Sequence, residues 1–216
     1  MEGLVQEEMV KFRSLLENHE NEPLDIAGKM NLPIWNSLWR VTAGEHFEYD
    51  NPFLVDLLSR LTEMLQRSGR PEYIILLSFP SVAKIWPSFL ERNEDIRINR
   101  DMMNMMRKSI ENHQQTFDQN DPRDFIDKYL TEIENTKDPN SSFFGKAGIE
   151  NLASTLTDLF IAGSETTSTT LTWAVLYMVR NKEVQLKVQK EIDSAIGQYQ
   201  LPSLADKPNL PYTEVS

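Results

Sequence analysis

Between Leu152 and Arg180, small or apolar residues fall at Leu152, Leu156, Leu159, Gly163, Thr167, Thr170, Ala174 and Tyr177. That three-and-four spacing gathers one face of an α-helix. No proline interrupts residues 146–180, so one long, buried helix is predicted there. The other elements must then be arranged around it. The remaining periodic stretches repeat the same spacing and none alternates as a half-buried strand does, so the chain is read as mainly α.

The middle of this helix opposes its own conformation. Gly163, Ser164, Thr166, Thr167, Ser168, Thr169 and Thr170 are poor helix formers, each costing about 0.5–1 kcal/mol relative to Ala. The apolar flanks, 158–162 and 171–176, must hold the centre helical through tertiary packing. Gly163 carries no side chain, so a flat ligand or another backbone can approach closely. The Thr166 hydroxyl can bond back to the carbonyl of Ala162, and Glu165 sets an ionisable carboxyl beside it. Two readings follow. One is a helix crossing where small residues permit close packing, with Glu165 merely solvated. The other is a site.

Composition narrows the chemistry. A net charge of −11 with no offsetting basic tract argues against binding nucleic acid by bulk electrostatics. The absence of cysteine removes disulfides, thiolate zinc sites, iron–sulfur clusters and a cysteine nucleophile together. His19, His46 and His113 stand far apart in sequence and belong to no metal-binding helical motif. Each reads as a surface or satisfied core histidine. Neither a glycine-rich phosphate loop nor a nucleophile elbow is present. No apolar run reaches the length of a spanning helix, and the first residues open no secretory signal.

Six further helices are predicted. The first carries Val5, Met9, Phe12 and Leu16 on one face. The second carries Ile34, Leu38 and Val41 with Trp35 and Trp39 alongside, and ends near Gly44 in a left-handed cap. Asp50 or Asn51 before Pro52 caps the third, through Leu54, Leu57, Leu58, Leu61 and Leu65 up to Gly69. The fourth runs through Met102, Met106, Ile110, His113 and Phe117; its methionines read as core packing or as an adaptable wall. Asp121-Pro122 is expected to cap the fifth, with Phe125, Ile126, Tyr129, Leu130 and Ile133 on one side. Residues 135–142 read as a polar loop. After the central helix, Val184, Val188, Ile192 and Ile196 mark another amphipathic helix stopped by Gly197, and Pro202, Pro208 and Pro211 predict an extended loop. The apolar, proline-bracketed run at 71–80 reads as a buried strand or a packed loop.

Ala162-Gly163-Ser164-Glu165-Thr166-Thr167, followed by Ser168-Thr169-Thr170-Leu171-Thr172-Trp173, resembles the central helix motif of the cytochrome P-450 family, the haem-thiolate monooxygenases. Glu183-Val184-Gln185-Leu186-Lys187-Val188-Gln189-Lys190-Glu191-Ile192-Asp193 is similar to the family's next helix, and Asn209-Leu210-Pro211-Tyr212-Thr213-Glu214 to the start of the one after. Asp121-Pro122-Arg123-Asp124-Phe125-Ile126-Asp127 resembles a segment of the microsomal branch, which includes arthropod hormone-processing enzymes. The resemblance covers residues 1–216 and the middle of the family's chain. It implies a mainly α, incomplete multi-helix central portion of the cytochrome P-450 fold, with the N-terminal anchor and the C-terminal haem-binding part outside it.

By that resemblance, Glu165 and Thr166 are catalytic, Glu165 relaying protons and Thr166 hydrogen-bonding at the oxygen-activating side of the haem. Ala162, Gly163 and Thr167 are expected to lie against the cofactor, and Asp158, Ile161 and Ala162 to face substrate. Ser164, where many members have Thr, touches none of these roles. The cofactor is haem iron, its axial Cys outside this chain, so residues 1–216 alone are expected to hold no haem thiolate. The implied partners are O2, a lipophilic substrate and an NADPH-dependent flavoprotein reductase at the cytosolic face of the endoplasmic reticulum membrane. Membrane contact would come through the N-terminal anchor and, as the roof of the substrate pocket, through residues 71–80. Two readings stay open: an oxidoreductase of this monooxygenase type, or a truncated, non-catalytic helical module.

Overall fold

The structure, a computed structural model, describes residues 1–20, 22–70, 78 and 92–215. Their order is α1 (Glu2–Glu17), α2 (Ile26–Ala43), α3 (Pro52–Ser68), α4 (Arg92–Thr116), α5 (Phe125–Asn135), α6 (Gly145–Arg180), α7 (Lys182–Ala195), a 3-10 helix (Leu204–Asn209) and α8 (Pro211–Val215). Among the described residues there is no strand, as the spacing predicts. None of the described helices is long and apolar enough to cross a membrane. The expectation for 71–80 falls, apart from Ser78, outside the described residues.

The chain forms two compact units, residues 38–165 and residues 1–37 with 166–216. In the first, α3 begins where expected: the Asn51 side chain accepts from the Leu54 backbone N–H, with Pro52 opening the helix. Leu54, Leu57, Leu58 and Leu61 form its buried stripe. It runs antiparallel to α4, since Arg60 reaches Asp101 and Arg67 reaches Asp95. Along α4, Ile98, Met102, Met106 and Ile110 are fully buried. The start of α6 is antiparallel to α4 in turn. Arg107 reaches Glu150, and the Thr157 hydroxyl meets the Met103 sulfur. At the C-terminal end of α2, Trp39 packs edge-on against Phe160 at 5.3 Å between centroids. Gly44 ends α2 with φ +69°, the left-handed cap that glycine adopts without Cβ strain.

Asp124, rather than Asp121, caps α5: its side chain accepts from the Asp127 backbone N–H. Asp121 lies in the turn before. In the second unit, the Glu191 carboxylate on α7 accepts from the backbone N–H groups of Tyr212 and Thr213 and from the Thr213 hydroxyl. This meets the open donors at the start of α8. The proline-rich segment before it is not extended as predicted. It winds into the 3-10 helix, because Asp206 accepts from both the backbone N–H and the hydroxyl of Ser203, closing a capping-box turn. The Leu204 N–H reaches Glu2 and Gln6 reaches the Pro202 carbonyl, which ties this segment to α1.

Two buried faces differ from their sequence reading. On α1 the buried residues are Glu8 and Phe12, while Val5, Met9 and Leu16 are each more than a third exposed. On α6 the buried stripe is Leu152, Ala153, Leu156, Thr157, Phe160, Ser164 and Ser168. Leu159, Thr167, Thr170, Ala174 and Tyr177 are exposed, so the expected stripe is rotated, and only the first half of the helix is buried as predicted. Hydroxyl chemistry permits the burial of the polar members. Ser164 donates to the Phe160 carbonyl at 2.6 Å and Thr157 to that of Ala153 at 2.9 Å. A serine satisfied by its own backbone is buried at small cost.

Candidate functional site

The site residues named from sequence all lie on α6. Ile161 and Ala162 lie three and four residues after Asp158 and four and three before Glu165, so all four share the face away from the buried Leu156, Phe160 and Ser164. Asp158 and Ala162 are exposed, Ile161 and Glu165 half-buried. The helix runs unbroken through the stretch where propensity opposes it, its flanks prevailing.

Gly163 points elsewhere. A Cβ built there would stand 3.2 Å from a terminal methyl of Leu38 on α2. That direction is a close helix contact, and it leaves Ala162 as the small residue on the exposed face. Glu165 is oriented by a residue that sequence reading missed: the Thr62 hydroxyl of α3 donates to its Oε2 at 3.0 Å. No signal within either helix announces this pairing, since the two residues are 103 positions apart. In the other unit, the Thr166 and Thr167 side chains are exposed, and the Thr166 carbonyl accepts from the Thr170 hydroxyl at 2.7 Å.

These residues suit a wall beside a flat apolar group. Ala162 projects only a methyl from an exposed helix face, with Ile161 beside it and two carboxyls, Asp158 and Glu165, on the same face. They do not suit an iron ligand set of the thiolate kind, because residues 1–216 contain no cysteine.

A second polar cluster forms where none was expected. His113 on α4 is buried; its Nδ1 lies 2.7 Å from the Ser109 carbonyl and its Nε2 lies 2.9 Å from Asp124 Oδ2. The Asp124 carboxylate, against the opposing effect of burial and with the help of the Ser109 carbonyl, raises the His113 pKa. Next to it, the fully buried Asp127 accepts from Arg123 Nε at 2.6 Å and from its terminal nitrogen at 2.9 Å. That guanidinium, against the opposing effect of burial, holds the carboxyl below the usual range. His113, Asp124 and Asp127 bring three metal-capable side chains within 4.8 Å of one another. Yet both imidazole nitrogens and the Asp127 carboxylate are already engaged in these bonds. The cluster is a buried ion-pair network that joins α4 to α5.

The sequence compares with known proteins along its whole length. It is 36% identical over 215 residues to cytochrome P450 2J2 of Homo sapiens, covering 99% of this chain and 41% of that protein. It is 31% identical to cytochrome P450 2L1 of Panulirus argus, covering 100% of this chain and 44% of that one. It is 33% identical to human cytochrome P450 2C8, covering 99% and 43%. The chain therefore spans less than half the length of these relatives. The family model described as Cytochrome P450 matches residues 1–216, a span that includes the α6 motif and its flanking helices. With the helical architecture and the motif in agreement with that match, the chain belongs to the cytochrome P450 family.

Proposed function

We propose that the whole protein is a haem-dependent monooxygenase that inserts one oxygen atom from O2 into a lipophilic organic substrate. Electrons come from NADPH through a flavoprotein reductase, at the cytosolic face of the endoplasmic reticulum membrane. One observation carries this reading: Ala162-Gly163-Ser164-Glu165-Thr166-Thr167 stands in the middle of an unbroken helix, in a chain matched throughout by the family. Haem, when bound, supplies the oxygen activation.

This chain's residues supply the surroundings. Ala162 keeps the helix slim where the cofactor lies, Gly163 lets the helix pack close to Leu38 behind it, and Thr167 stands at the cofactor's edge. Asp158, Ile161 and Ala162 form part of the substrate wall. Glu165 holds and passes a proton at its carboxyl, oriented by Thr62. The Thr166 hydroxyl holds an ordered water, so that protons arrive without bulk solvent.

Thr166→Ala tests the proposal. The substitution removes the hydroxyl and installs a better helix former, so folding is kept. Product formed per NADPH oxidised should fall and released hydrogen peroxide should rise, at matched haem content. Glu165→Gln should slow turnover and change its pH profile, because the ionisable group is lost while the shape is kept. Unchanged coupling in Thr166→Ala would reduce the motif to a helix crossing.

A further inference from the structure

Outside the α6 site, the unit of residues 38–165 contains a cleft of about 550 Å3 over one face of α4, within the size range of small-molecule pockets. One side is aromatic. Trp39 and Phe47 are paired at 5.3 Å between centroids, and Phe53 stands at the mouth, 45% exposed. Met105 adds an adaptable apolar floor.

The polar side is balanced in charge. Asp101 is taken up by two hydrogen bonds from Arg60, each 3.1 Å. Glu45 and Lys108 carry opposite charges. Net charge therefore selects neither a cation nor an anion.

Ser109 is the exception in this balance. It lines the cleft, is 5% exposed, and its hydroxyl has no hydrogen-bond partner. Other buried hydroxyls of this unit turn back onto their own helix, as Thr157 and Ser164 do. A buried hydroxyl left unmatched is unfavourable, and a ligand oxygen at this point removes that loss.

We propose that this cleft binds a neutral, flat, apolar molecule bearing one hydroxyl or carbonyl oxygen. Its ring system lies against Trp39, Phe47 and Phe53, and its oxygen pairs with Ser109. The site is separate from the α6 motif and does not depend on the activity proposed above.

The test is titration of the intact protein, labelled at its methionine methyls, with 2-naphthol and with naphthalene. The Met105 methyl resonance, assigned with Met105→Leu, is the local reporter. It should move with both probes, and 2-naphthol should bind about three- to tenfold more tightly, the range of one neutral hydrogen bond. Ser109→Ala should abolish that preference while leaving naphthalene binding unchanged. Phe53→Ser should weaken both probes alike. A Met105 resonance that stays still with both probes would overturn the site. So would a preference for 2-naphthol that survives Ser109→Ala, or affinities untouched by Phe53→Ser.

Discussion

His113 sits between two acceptors, its Nε2 2.9 Å from Asp124 Oδ2 and its Nδ1 2.7 Å from the Ser109 carbonyl. An imidazole satisfies two acceptors only when both nitrogens carry protons, so the folded state favours the imidazolium. A pKa raised on folding gives a contribution that is full below the ordinary value of 6.5 and is lost as pH rises through the folded value. Stability should therefore fall as pH rises from the ordinary value through the higher, folded one, and His113→Gln should flatten that part of the profile. Denaturant midpoints across that range, compared between the two proteins, measure it.

Asp127 behaves in the opposite sense. Its carboxyl is held below the ordinary 3.8, chiefly by the Arg123 side chain, so its contribution is present above that value and is lost as pH falls through the lower, folded one. Arg123→Ala should cost about 2–3 kcal/mol at neutral pH, because it leaves a fully buried carboxylate without its bidentate partner. The double variant with Asp127→Asn should recover part of that loss in chemical denaturation.

Gly148 and Gly163 predict opposite responses to alanine. A Cβ at Gly148 would collide with the Phe143 carbonyl oxygen and stand 2.8 Å from its carbon and 2.9 Å from Ile133 Cγ1. Backbone gives way poorly there, and Gly148→Ala should cost about 2–3 kcal/mol. At Gly163 the nearest atom is a terminal methyl of Leu38 at 3.2 Å, which can turn aside. The better helix propensity of alanine, up to about 1 kcal/mol, then offsets the contact. Thermal midpoints of the two variants should separate clearly, with Gly148→Ala the lower.

Thr62→Val removes the hydroxyl that holds Glu165 Oε2 while keeping the side chain's shape. Stability should drop by about 1 kcal/mol. Product per NADPH oxidised should fall less than in Glu165→Gln, and Thr62→Ser should restore it. A Thr62→Val protein with parental coupling would confine the bond to a structural role.

The helices were legible in the sequence because spacing, caps and stops agree locally: Asn51-Pro52 opens α3, and Gly44 and Gly197 lie just past α2 and α7 with φ of +69° and +92°. What escaped was set by partners distant in the chain, or by hydroxyls acting on their own backbone. Spacing assigned Leu159 to the buried face and gave no credit to Ser164. The structure reverses the two, because Ser164 satisfies itself on Phe160. The early start of α2 was hidden by Gly28 and by Pro33 inside the helix. The prolines near residue 208 suggested extension, although Ser203 and Asp206 already carried the capping-box spacing. Thr62 with Glu165, and His113 with Asp124, join residues that only tertiary packing brings together.

The back-bonded hydroxyls of α6 have a further effect. To its surroundings, a threonine or serine whose hydroxyl is spent on the carbonyl four residues back is nearly a hydrocarbon. From Leu159 to Val179 the sequence then holds one charged side chain, that of Glu165. Along about 30 Å of helix, a carboxyl stands at a single place, and no other charged side chain on this stretch competes with it for a partner.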